Sequence, residues 1–200
     1  IAQLQYQDVS IEKVSVETSF WSLLMFNPSL TIEFGGALLD GPEGKFKVSG
    51  LLSELSVEQL QLSVAANDIA QQLTLPIPLA AKGYVDLSIE FFTPASVGGK
   101  DFCQHLSGKV AWPKAQINAL NEKVKLGKLS AKLSCDKGAI AILVDPKNDL
   151  GLSFSAYIRK GGRLSGNGYL KPGIKFPRQL SDVLPFIGSA DKQGRYRLKL

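Results

Sequence analysis

The 200-residue chain is short of the residues that carry out chemistry. It holds one histidine, His105, two cysteines, Cys103 and Cys135, and one methionine. A Ser-His-Asp hydrolase would have to build its base on His105, and no Gly-x-Ser-x-Gly elbow accompanies it. Cys103 and His105 are two residues apart, but Cys-x-His with one distant cysteine is not a zinc-ligand spacing. Gly98-Gly99-Lys100 runs into Asp101 rather than Ser or Thr, and no glycine stands where a phosphate loop needs one. The carboxylates are scattered, with none paired for acid–base work. This predicts a chain that is not an enzyme, with no catalytic residues, no metal and no cofactor. Long apolar runs are missing as well. The longest, Phe20 to Phe26, is far short of the roughly 20 residues that cross a bilayer.

What is present suits a folded soluble domain: apolar residues make up 44% of the chain and charged residues 20%. The charge is unevenly placed. Residues 1–100 carry 5 Lys and Arg against 11 Asp and Glu, a net −6, whereas residues 101–200 carry 18 against 7, a net +11. Either the basic half faces nucleic acid or anionic lipid headgroups, or the protein is internally dipolar, its halves attracting each other or a neighbour. Lys123, Lys125, Lys128 and Lys132 lie close together along one run, with both strand faces represented, and form a candidate basic docking face. They are not interleaved with exposed aromatics as single-strand nucleic-acid binders require, so no nucleic-acid partner is expected.

Period-two alternation dominates and predicts half-buried antiparallel strands. Leu30, Ile32 and Phe34 alternate with Thr31 and Glu33. Leu60, Leu62 and Val64 alternate with Gln61 and Ser63. Val85, Leu87, Ile89 and Phe91 form one further apolar stripe, and Leu129, Ala131, Leu133 and Cys135 another. One hairpin can be placed in register: Ile158 opposite Leu164, Ala156 opposite Gly166 and Phe154 opposite Gly168, with a glycine bulge at Lys160-Gly161-Gly162. Asp136-Lys137-Gly138 and Pro146-Lys147-Asn148-Asp149 read as turns. Short helices are expected from Asn67 to about Leu73 and from Pro177 through Leu184.

An offset of 111 residues superimposes Ile69 on Leu180, Leu73 on Leu184 and Gly83 on Gly194. The expected fold is therefore mainly β: curved antiparallel sheets built from two related β-rich halves, each with a short helix before its last strand. Residues 1–92 form the first half, 93–100 a junction loop, and 101–200 the second half. The aromatic cluster Phe20, Trp21, Met25 and Phe26 reads as core or as a membrane-proximal belt. Cys103 and Cys135 are two buried thiols in a reducing compartment or a pair in an oxidising one, and the residues alone leave this open.

Several blocks together resemble the type II secretion system protein N family. They are Trp21-Ser22-Leu23-Leu24, the run Leu60 to Leu73, and Cys103 with Leu106-Ser107-Gly108-Lys109-Val110-Ala111-Trp112. Leu126-Gly127, Cys135 and the tail Leu184, Gly188, Gly194-Arg195-Tyr196-Arg197 extend the resemblance. It implies a single-span inner-membrane protein with this domain in the periplasm, held by an N-terminal helix preceding Ile1. The implied partners are other inner-membrane components of the type II secretion system, and the implied role is non-catalytic support of export across the outer membrane. Periplasmic placement in turn implies a Cys103–Cys135 disulfide. The alternative reading is a β-groove that binds a lipid or another apolar ligand.

Overall fold

The computed structural model describes residues 2–6, 9–18, 28–35, 41–50, 55–71, 79–95, 99, 101–119 and 122–200. The Trp21 cluster and Leu73 lie outside them.

Among the described residues thirteen antiparallel strands form one open sheet. The first half supplies β1 (Ala2–Tyr6), β2 (Val9–Thr18), β3 (Ser29–Phe34), β4 (Glu43–Ser49), β5 (Ser56–Ala65), β6 (Leu79–Lys82) and β7 (Tyr84–Pro94). The second supplies β8 (Cys103–Ala119), β9 (Glu122–Asp136), β10 (Ala139–Val144), β11 (Leu152–Arg159), β12 (Arg163–Leu170) and β13 (Tyr196–Lys199). Strands neighbour one another in chain order except at β6. It leaves the main path and pairs with the far end of β8 beyond β7.

Alternating sequence makes this sheet two-faced. One row of cross-strand partners runs Ser15, Glu33, Lys45, Gln61, Ser88, Lys109, Lys132, Leu143, Ser155, Asn167, Lys199 and is almost wholly polar. The adjacent row runs Phe34, Gly44, Leu62, Leu87, Val110, Ala131, Val144 and is apolar. No second sheet covers the apolar row among the described residues. The chain exposes 14125 Å², against ~9,200 Å² expected of a compact protein of its mass. The excess is what a single layer costs: most side chains are covered from one side only.

Packing concentrates in two places. Toward the β8–β9 turn, Ala81, Ala115, Ile117, Val124, Leu126, Leu150 and Leu170 are buried under α1 (Ala66–Gln71) and α2 (Leu184–Ile187). A 3-10 turn, Arg178–Val183, leads into α2 from Pro177. At the other end of the strands, Cys103, Leu106 and Leu133 pack with Leu87, Ile89, Phe92, Ile140 and Ile142. A disulfide joins Cys103 at the start of β8 to Cys135 near the end of β9. The backbone N–H groups of Phe102 and Cys103 both donate to Gly138 O, tying the start of β8 to the β9–β10 turn.

The hairpin register is as read from the sequence, with Phe154 facing Gly168, Ala156 facing Gly166 and Ile158 facing Leu164. Gly161 and Gly162 take positive φ at its tip. The first short helix occurs where expected, starting one residue early at Ala66, whereas 178–183 is a 3-10 turn and the second α-helix begins only at Leu184, where it was expected to end. Three further expectations change. Phe91 does not continue the stripe of Val85, Leu87 and Ile89. A bulge between Ile89 and Phe91 turns it to solvent at 44% exposure, and Phe92 packs inward instead. Thr93 and Pro94 are strand rather than junction loop, pairing with His105 and Cys103. The relation between halves is not confirmed. A positive-φ glycine, Gly83 or Gly194, does precede a strand after each helix. Yet β7 lies inside the sheet and β13 at its end, and the ladder passes from β7 to β8 without a seam.

Candidate interaction surface

The four lysines singled out in the sequence lie on β9, and the structure places them on one face rather than two. The exposure pattern along β9 explains why. Val124 and Leu126 are buried while Lys123 and Lys125 are exposed; then Ala131 and Leu133 are buried while Lys128 and Lys132 are exposed. The buried positions change from even to odd numbers at Gly127. Gly127 has φ +80° and pairs with Ala115, while Lys125 pairs with Gln116, so Leu126 is the extra residue of a bulge. Such a bulge inserts one residue and resets the alternation. A left-handed φ is strained for any residue with a Cβ, which is why glycine occupies the position.

Topology adds three lysines that sequence reasoning did not gather. Lys109 on β8 stands directly opposite Lys132. Lys82 on β6 pairs with Gln116, whose other neighbour is Lys125. Lys114 is exposed where β8 carries its own irregularity between Trp112 and Ala115. Trp112 fastens β6 to β8 by donating its indole N–H to Lys82 O at 3.0 Å. The seven lysines are all exposed, and among the described residues none makes an ion pair. A signal for six of them, all but Lys82, was available: residues 102–121 and 123–135 contain no Asp or Glu.

The polar face of the first half has a different character. Lys45 pairs with Glu33, and Lys47 with Glu58 at 3.6 Å. The hydrogen bond to Glu33 and its charge hold the Lys45 ammonium above its ordinary pKa. Glu90 accepts from Ser107 Oγ at 2.8 Å and Asp86 from Ser63 Oγ at 2.9 Å. Mixed, mutually satisfied charge thus gives way to unpaired positive charge at β8.

His105 is exposed and lies opposite Thr93. Among the described residues no three His, Cys, Asp or Glu side chains gather as a metal site. No described helix is long and apolar enough to cross a membrane.

The described residues thus form a broad open sheet with one polar and one apolar face. The chain belongs to the family described as Type II secretion system (T2SS), protein N, whose model matches residues 1–199. It is 29% identical over 202 residues to a type II secretion system protein N of Aeromonas hydrophila, covering 100% of this chain and 77% of that protein. A protein N of Vibrio cholerae serotype O1 is 25% identical over 196 residues, covering 98% and 76%. One from Klebsiella pneumoniae is 29% identical over 147 residues, covering 72% and 57%. No solved structure matches the chain.

Proposed function

We propose that this chain is the periplasmic domain of a single-span inner-membrane component of the type II secretion system, supporting export across the outer membrane without catalysing a reaction. The observation that carries the reading is the family match over residues 1–199, joined to a fold that offers faces and strand edges. The Cys103–Cys135 bond supports the compartment, because disulfides persist in the oxidising periplasm and are rare in the cytosol. Open sheet edges suit contacts with other inner-membrane components, since unpaired backbone groups there can add a partner's strand. The test is complementation. Deleting the gene should reduce the amount of secreted protein in the medium, and full-length protein should restore it. In-cell crosslinking from strand-edge positions should then capture other secretion components. Unchanged secretion in the deletion strain would overturn the reading.

A second reading rests on the apolar face. Ile32, Phe46, Val48, Leu62 and Leu87 share that face and stay only half-buried, while α1 and α2 pack chiefly on β5, β6 and β13. A lipid or other apolar ligand along β3–β7 would bury surface that the single layer leaves wet, at roughly 25 cal/mol per Å². Native mass spectrometry of protein purified from the periplasm separates the readings: a co-purifying lipid favours the second, and its absence under gentle detergent-free conditions the first.

A further inference from the structure

The seven-lysine face is a feature that secretion-system membership does not explain. Along β9, Lys123 to Lys132 spans roughly 30 Å at the usual rise per strand residue. Lys109 and Lys132 face each other directly across the ladder, and like charges so placed destabilise a sheet. No nearby acid forms an ion pair with them: Asp86 and Glu90 accept serine hydroxyls, Asp145 accepts the backbone N–H of Lys147 at 2.9 Å, and Asp149, beside Gly127, pairs with Lys175 at 3.6 Å. This fold therefore carries a repulsive arrangement that an external anion would stabilise.

We infer that the lysine face of β6, β8 and β9 docks on an anionic lipid surface. The composition of the face favours lipid over an acidic protein. Protein interfaces are depleted in lysine and anchored by buried Trp, Tyr or Arg. Here every cation is lysine, and the one aromatic on these strand segments, Trp112, is half-buried and tied to Lys82 O. Lysines are strongly hydrated point charges that act without pairwise geometry. A headgroup layer asks for that: diffuse negative charge spread over a plane, attracting each nearby lysine by about a fivefold gain in partition. The exposed face of one sheet layer presents its lysines to such a plane together.

The test is co-sedimentation of the purified chain with vesicles containing phosphatidylglycerol and with vesicles of phosphatidylcholine alone. Binding to the anionic vesicles only is expected, falling as salt shortens the Debye length from about 10 Å at 0.1 M to about 3 Å at 1 M. The pairs K123Q/K125Q and K128Q/K132Q should each lower anionic partition about tenfold or more. K45Q should leave it unchanged, because Glu33 already neutralises Lys45. Circular dichroism and intact mass verify that each variant keeps its fold and its disulfide, and two separate pairs guard against one failing to fold. Equal binding to both vesicles, or pair variants that bind like the parent, would overturn the inference. So would failure to bind anionic vesicles while an acidic domain of another secretion component binds in a salt-dependent way; the partner of the lysines would then be protein.

Discussion

Lys125 and Lys128 lie on the same face of one strand although they are three positions apart, because Gly127 between them takes φ +80° and Leu126 is bulged. In a regular strand an odd separation puts two side chains on opposite faces. The continuity of the lysine face therefore depends on this glycine. A Cβ at Gly127 would meet the Asp149 carboxylate as well as an unfavourable φ. Gly127→Val should lower stability by about 1–3 kcal/mol, as expected of a non-glycine residue forced into the left-handed region. Urea denaturation measures it. A midpoint equal to that of the parent would mean that the bulge does not need glycine.

The disulfide gives a second expectation. Cys103 and Cys135 are 32 residues apart in sequence, and closing such a loop stabilises by on the order of 3–4 kcal/mol in the chain-entropy model. Protein made in the periplasm should resist alkylation until reduced, and its intact mass should be two hydrogens below that of the dithiol. The double variant C103S/C135S should unfold at distinctly lower urea. Two freely alkylated thiols in the native protein would refute the bond.

Much of this architecture is legible in the sequence because its rules are local. Alternation gave the strands, and parity at Phe154, Ala156 and Ile158 gave a hairpin register that Gly161 and Gly162 close. The misread strand faces share one physical cause, the bulge. Phe91 and the β9 lysines were assigned to faces by counting in twos, and an inserted residue reverses the count. Long-range placement was also beyond reach: that Lys82 joins the β8 and β9 lysines depends on β6 pairing with β8, a non-sequential contact with no local signal.

Phe154 supplies a third expectation. Its ring lies over Gly166 and Gly168 on the neighbouring strand, with ring atoms 2.8 Å and 2.7 Å from where a Cβ on each would sit. An aromatic that covers a glycine repairs a weak strand position, and adding bulk there displaces it. Gly166→Val should destabilise by about 1–3 kcal/mol, typical of overpacking. Gly173 has open space around it and serves as the control; Gly173→Ala should change little. Thermal melts of the two variants decide it, and equal melting temperatures would show that the ring is free to move aside.

His105 is exposed on β8 and opposite Thr93. His105→Ala should complement a deletion strain as well as the parent does. Lost secretion at normal protein level would reopen a catalytic reading.

The last expectation concerns pH and the turn before β13. The Asp191 carboxylate accepts the backbone N–H groups of Arg195 at 3.0 Å and Gln193 at 2.9 Å. It also accepts from the Arg195 guanidinium, whose Nε lies 2.8 Å away. These bonds, the Arg195 backbone donor first, favour the ionised form and hold the Asp191 pKa below its ordinary value. The sign follows from proton linkage. The unfolded chain, with Asp near 3.9, binds the proton more readily than the folded turn does. The bonds to the carboxylate are thus fully present above about pH 4 and are lost as pH falls through the depressed folded value. A carbon-detected NMR titration should place the Asp191 midpoint below the ordinary aspartate value near 3.9. Arg195→Gln should raise that midpoint only in part, because the backbone N–H of residue 195 survives the substitution. Asp191→Ala should loosen the 191–195 turn, seen as faster amide exchange at Gln193 and Arg195, with no effect on the β8–β9 ladder. An Asp191 midpoint at the ordinary value, unmoved by Arg195→Gln, would show that the turn does not hold the carboxylate in solution.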